Sequence, residues 1–273
     1  MAVIVITQQI GSRGSEIAEL AARELGYRFL SGQELVAQTS SRYKVTPEQL
    51  LVLDERTPHF WERLRTDTER FLAFLRAILL KEFANDRLIA VGRGIAHHLP
   101  ESGCGLRVHV IGSFHDRVRR VALDEKLTVG SAEKRVRDYD HEIRSRVQQV
   151  CAIDLEDHNI YGAVLNSSAS PIEVSAAMLV QAANAIDARV TPQDWCKLRD
   201  TAISAQVRAA IHAHPQLNHA QLDIECDQGA LRINGPGLVP PWDRLTDQVV
   251  RQIEGVSSVE ITADGVTMPI LPE

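Results

Sequence analysis

Short apolar runs alternate with stretches of helical period along the first two thirds of the chain. Val3-Ile4-Val5-Ile6 is uninterrupted and β-branched, the pattern of a strand buried on both faces. Glu16–Leu25 reads as a helix, and Gly26 supplies the residue that closes it in a left-handed conformation. Tyr27–Leu30 predicts a short strand. Gln33–Ser40 and Thr46–Leu53 predict helices. A long helix follows over Phe60–Asn85, where Leu64, Phe71, Leu75, Ile78, Leu79 and Phe83 recur near the helical period. Further buried strands are expected at Arg87–Val91, Leu106–Ile111 and Ala163–Asn166. A helix starts near His115, and Pro171 opens another that runs to about Ala188. Repeated β–α units imply an α/β fold: a parallel sheet with helices on both faces.

The character changes after Arg189. Thr191-Pro192-Gln193-Asp194 reads as a break. A helix follows, with Leu198, Ile203, Val207 and Ile211 on one face, stopped by His214-Pro215. Gln221–Asp227 and Ala230–Asn234 alternate like strands about the turn residues Gln228-Gly229. A helix over about Trp242–Ile253 and a strand at Val259–Ile261 complete a small α-β-β-α-β domain. The expected organisation is a first domain over 1–188, a linker at 189–195, a second domain over 196–263 and a tail at 264–273. The second core is expected from Leu198, Val207, Ile211, Leu222, Ile224, Leu231, Ile233, Val249, Ile253 and Val259.

Composition narrows the function. The net charge is −6 and the pI about 5.9, which argues against a nucleic-acid-binding surface. Cys104, Cys151, Cys196 and Cys226 are far apart, so neither a zinc site nor a disulfide framework is signalled. No signal peptide or membrane span is evident, which leads to the expectation of a cytoplasmic protein.

The chemistry concentrates where the Val3–Ile6 strand should meet the first helix, at Gln9-Ile10-Gly11-Ser12-Arg13-Gly14-Ser15-Glu16. A glycine-bearing turn between a buried strand and a helix N-terminus aims backbone N–H groups at an anion, and the helix dipole reinforces them. Against the phosphate-loop pattern G-x-x-x-x-G-K-[ST], Gly14 is the second glycine. Gln9 stands for the first glycine, Ser15 for the lysine and Glu16 for the magnesium-binding hydroxyl. Ser12 and Ser15 can donate hydroxyl hydrogen bonds, and Arg13 is a candidate to replace the lysine. Arg93 lies between two glycines after a strand, where a guanidinium can grip phosphate in a fork. The acidic chain has a basic middle: Arg117, Arg119, Arg120, Arg135, Arg137, Arg144 and Arg146. Such arginines can cover a transferring phosphoryl group or simply lace a solvated helix with ion pairs. Asp54-Glu55 is a candidate for magnesium or an acceptor hydroxyl, or a helix-end charge pair. His97-His98 offers a candidate ligand pair, although adjacent helix residues do not share a face. Trp242 beside Pro240-Pro241 is a candidate ligand platform or a structural tryptophan.

Several motifs together make residues 1–187 resemble the cytidylate-kinase-like family. They are Gly11–Ile17 with Glu24-Leu25-Gly26-Tyr27, Asp54-Glu55, Val91-Gly92-Arg93-Gly94, Asp116–Arg120 and Tyr161–Ser167. The resemblance implies a P-loop nucleoside-monophosphate kinase fold using ATP, with Mg2+ carried by the nucleotide. It assigns the loop residues Gly11, Ser12, Arg13, Gly14, Ser15 and Glu16, with Arg117, to nucleotide binding. Arg93 then faces the acceptor, and Arg137 and Arg144 belong to a lid over the phosphoryl group. Gly94 and His141 depart from the family pattern, which has aspartates there.

The C-terminal part resembles a BON module, a small binding domain. The match lies in Leu198-Arg199-Asp200, Val207, Pro215, the strand pair about Gly229, Ile233-Asn234-Gly235 and Glu254–Val259. That resemblance implies a protein partner or a weak membrane contact, and the long apolar helix offers a surface for a homodimer. Three functions remain open: a kinase acting on a small acceptor such as CMP or dCMP, a catalytically degenerate nucleotide sensor signalling through the BON-like domain, and an interaction protein that binds no nucleotide.

Overall fold

The structure is a computed structural model. It describes residues 2–47, 50, 65–85, 87–92, 95–101, 103–218, 222–236 and 238–263. These fall into two compact units, one within 1–60 and 85–195, the other within 61–84 and 196–273. The first unit is therefore discontinuous in sequence. Helical periodicity identified the long helix, but it carries no information about which sheet the helix joins.

The first unit is a five-stranded, wholly parallel sheet. Its strands are β1 (Val3–Gln8), β2 (Arg28–Ser31), β3 (Leu88–Val91), β4 (Gly105–Ile111) and β5 (Ala163–Asn166), in the order β2-β3-β1-β4-β5. Strands β2 and β3 lie on one side of β1, and β4 and β5 on the other. The order reverses at β1, and open parallel sheets bind ligands beyond the carboxyl ends of their strands at such a point.

Val3, Ile4, Val5 and Ile6 are fully buried, so both faces of β1 are covered, as an unbroken β-branched run demands. On one face Ile4, Ile6, Val108 and Val110 pack against α1 (Gly14–Leu25) and α6 (Ile172–Asp187). Gly26 ends α1 at φ 65, and its N–H reaches back to the carbonyls of Ala22 and Arg23. Helix α2 (Gly32–Tyr43) is capped by Ser31, whose hydroxyl accepts from the Glu34 N–H. The expected helix over Thr46–Leu53 lies largely outside the described residues. After β4 come α4 (Phe114–Asp124) and α5 (Val129–Cys151), which pack through Val118, Val121, Ala132 and Val136.

The second unit contains α3 (Arg65–Ala84), α7 (Pro192–Ala213), α8 (Trp242–Val250) and a sheet of β6 (Asp223–Asp227), β7 (Ala230–Gly235) and β8 (Ser258–Ala263). From α7 onward the order is α-β-β-α-β, as the sequence pattern implied. Helix α7 starts at Pro192, inside the stretch expected to be a linker. Thr191 explains this, because its Oγ1 accepts from the Asp194 N–H and caps the helix start. Strands β6 and β7 are antiparallel, and β8 joins β7 in parallel. The β6–β7 hairpin turns through Gln228 and Gly229, both at positive φ, and Asp200 accepts from both of their N–H groups. The core holds Val207, Ile211, Leu222, Ile224, Leu231 and Ile233, with Val249, Ile253 and Val259 packed against it. No helix among the described residues is long and apolar enough to cross a membrane.

Candidate functional site

The β1–α1 loop lies at the carboxyl end of β1, where the strand order reverses. Gly11 has φ 71, and a Cβ there would stand 2.7 Å from the Arg117 carbonyl oxygen. Only glycine satisfies both constraints. Arg13 also takes the left-handed conformation, at φ 62, and offers α1 no side-chain cap. Gly14 begins the helix; a Cβ on it would stand 2.6 Å from Oε1 of Gln8.

Gln8 supplies the missing cap. Its Oε1 accepts from the Ser15 N–H at 2.9 Å, and its Nε2 donates to Ser15 Oγ at 2.9 Å. Ser12 is fully buried, and its Oγ has no hydrogen-bond partner among the described residues. A hydroxyl orphaned in this way inside a glycine turn calls for an acceptor. With the helix N-terminus, it makes a chemical fit for a phosphate oxygen.

The arginines singled out by spacing have partners within the chain where the structure describes them. Arg13 turns outward and forms a fork with Glu16, at 2.8 and 2.6 Å. That hydrogen bond holds the Glu16 carboxyl below its ordinary pKa. Arg117 is buried and donates to both carboxylate oxygens of Asp140, at 3.0 and 2.8 Å, tying α4 to α5. Arg137 lies over the Phe114 ring, 4.5 Å from its centroid. Arg144 pairs with Glu156. Arg93, Gly94, Asp54 and Glu55 lie outside the described residues.

Arg120 reaches the loop, as does Arg117 through the Ile10 carbonyl at 3.4 Å. Arg120 donates to the Gly11 carbonyl at 3.0 Å, to Ser167 Oγ at 3.0 Å and to the Ser167 carbonyl at 3.1 Å. It therefore joins the β1–α1 loop to the turn after β5. Spacing did not distinguish it from its neighbours. The pointer in the sequence is indirect: Ser113 caps α4, and that register puts Arg117 and Arg120 one turn apart on one face.

The same end of the sheet carries Ser113, Asp116 and Ser168. The Ser113 N–H donates to Ser168 Oγ, and Ser113 Oγ donates to Asp116. Hydrogen bonds from Ser168 and Ser113 lower the Asp116 pKa. Beneath them on β4, His109 is buried and stacked on Tyr161 at 4.8 Å, and burial pushes its pKa down to about 4. Among the described residues no group of three or more His, Cys, Asp or Glu side chains is arranged to hold a metal ion.

A family model described as the cytidylate kinase-like family matches residues 3–169. The chain belongs to that family. Among curated proteins, a cytidylate kinase of Thermoplasma acidophilum is 26% identical over 187 residues, which cover 67% of this chain and 92% of that one. Among solved structures, an uncharacterised protein of Eubacterium ventriosum shares the fold, with a TM-score of 0.50 and 15% identity over 67% of this chain and 99% of that chain. A Thermus thermophilus protein aligns with a TM-score of 0.46 and 19% identity, over 67% of this chain and 97% of its own. Family membership makes this a kinase-like, nucleotide-binding protein and implies the use of ATP, and the family match lies over the residues that build the loop.

Proposed function

We propose that this family member binds ATP at the β1–α1 loop and transfers its γ-phosphoryl group to a small acceptor, with CMP or dCMP as the leading candidates. The observation that carries the reading is the loop itself. Two glycines under close steric constraint, a buried orphan hydroxyl on Ser12 and a helix N-terminus converge where the parallel sheet reverses its order. The cytidylate kinase name of the Thermoplasma relative supports the choice of acceptor.

In this reading Gly11, Ser12, Gly14 and Ser15 hold the phosphates, and Arg120 fixes the loop from behind. Bound ATP supplies the phosphoryl group with its magnesium ion, which keeps most of its waters, because Glu16 is committed to Arg13. Arg93, Arg137 and Arg144 are the proposed acceptor and lid arginines. Arg137 and Arg144 would have to leave Phe114 and Glu156 to stabilise charge on the moving phosphoryl oxygens.

A coupled assay of ADP formation with ATP, magnesium and each nucleoside monophosphate tests the proposal. Turnover with a cytidine nucleotide, abolished in Gly14→Asp, is the expected result. No turnover with any acceptor above that control overturns it.

No lysine follows Gly14, and the Ser15 N–H that would meet phosphate is held by Gln8. A catalytically degenerate sensor, reporting nucleotide occupancy through the BON-like domain to a protein partner, fits that arrangement. Binding of ATP without turnover favours this alternative.

A further inference from the structure

The second unit contains a cleft of about 920 Å³, within the size range of small-molecule sites. Helix α7 lines it with Lys197, Thr201, Ser204 and Arg208, which follow one another along a single face at helical spacing. Helix α3 adds Ala73 and Arg76, and the sheet adds an apolar floor from Ile224, Leu231 and Val259.

The carboxylates around the cleft are already engaged or lie on the sheet side. Asp200 accepts from Cys226 and from the two hairpin N–H groups of Gln228 and Gly229. Glu225 and Glu260 both pair with Arg232 on the sheet, and Asp227 stands beside them on β6. The helix side is different. Among the described residues no carboxylate stands within ion-pair distance of Arg76, Lys197 or Arg208.

We propose that this cleft is a second ligand site, which takes a small organic phosphate with its anionic end between Arg76, Lys197 and Arg208. Three cations and the Ser204 hydroxyl line one wall, the Thr201 hydroxyl being donated to the Lys197 carbonyl, and that set suits a dianionic tetrahedral group better than a single carboxylate. Arg208 is half-buried and donates one N–H to the Leu222 carbonyl, so its position is fixed. Burial lowers its pKa and the charge of Arg76 lowers it further, with the Asp223 carboxylate offsetting part of the shift. Two like charges held together in a partly buried cleft are unfavourable until an anion arrives. The apolar floor leaves room for the body of the ligand beside its phosphate.

The cleft lies in the second unit and the β1–α1 loop in the first, so the titrations are made in a Gly14→Asp background, in which the loop takes no phosphate. Pyrophosphate and citrate are titrated calorimetrically into the full chain, into Arg76→Gln and into Arg208→Gln. The proposal expects pyrophosphate to bind and its affinity to fall about tenfold or more in both variants, with unchanged thermal midpoints. Arg76 is exposed, so Arg76→Gln alone carries the test if Arg208→Gln fails to fold. Equal pyrophosphate affinity with and without Arg76→Gln in that background overturns the site. Citrate binding more tightly than pyrophosphate, with only citrate sensitive to Arg76→Gln, overturns the assignment to phosphate.

Discussion

Gln8 and Ser15 hold one another through both ends of the glutamine amide, with Oε1 accepting from the Ser15 N–H and Nε2 donating to Ser15 Oγ. The last residue of β1 thus satisfies a backbone donor that the first turn of α1 would otherwise leave open. It is the same donor that a phosphate at this loop would use. Gln8→Ala should therefore have two opposite effects. Without nucleotide, stability should fall by about 1 kcal/mol, the net worth of such a bond. With ATP, affinity should rise, because the competitor for the Ser15 N–H is gone. Thermal melting with and without ATP reads both. A variant that loses stability and ATP affinity together would show that Gln8 supports the bound state instead.

Gly11→Ala is expected to damage the loop by geometry alone. The new Cβ would meet the Arg117 carbonyl at 2.7 Å in a left-handed backbone. The combined strain should cost about 2 kcal/mol or more. Chemical denaturation measures it; a cost within error of zero would mean that the loop is free to rearrange.

Arg117 is expected to act as a structural residue. It is 5% exposed and grips Asp140 with two parallel bonds. Removing it in Arg117→Ala strands a carboxylate between α4 and α5, at about 3 kcal/mol. Arg117→Lys should recover little, since an ammonium cannot reproduce the fork. Full stability in Arg117→Lys would contradict this role.

His109 should make stability depend on pH in the acid range. In the unfolded chain it takes up a proton near pH 6.5, whereas the folded protein resists until about pH 4. Its contribution is fully present above about pH 6.5 and is lost as the pH falls towards about 4. The loss amounts to about 3 kcal/mol. Urea midpoints across that range check it. His109→Phe, which keeps a ring against Tyr161, should flatten the profile, and an unchanged profile would assign the acid loss to other groups.

The strands, the helix stop at Gly26 and the Gln228-Gly229 hairpin were legible in the sequence, because each depends on local pattern: β-branched runs and positive φ. The need for glycine at positions 11 and 14 was legible for the same reason. The arginines were not. Arg13, Arg120, Arg137 and Arg144 carry long side chains whose direction depends on what folds beside them. Glu16, Gly11, Phe114 and Glu156 respectively claimed them. The grouping of α3 with the C-terminal unit was equally hidden, since an apolar stripe records that a helix is buried and not against what.

ATP calorimetry on wild type and Gly14→Asp tests most directly whether the β1–α1 loop binds nucleotide. Wild type should bind, and at ATP one hundred times its Kd should gain about 2.7 kcal/mol of stability. Gly14→Asp places a side chain and a negative charge against Gln8 at the helix start, and it should lose both effects while remaining folded. Equal ATP binding by the two proteins would place the nucleotide elsewhere than the β1–α1 loop.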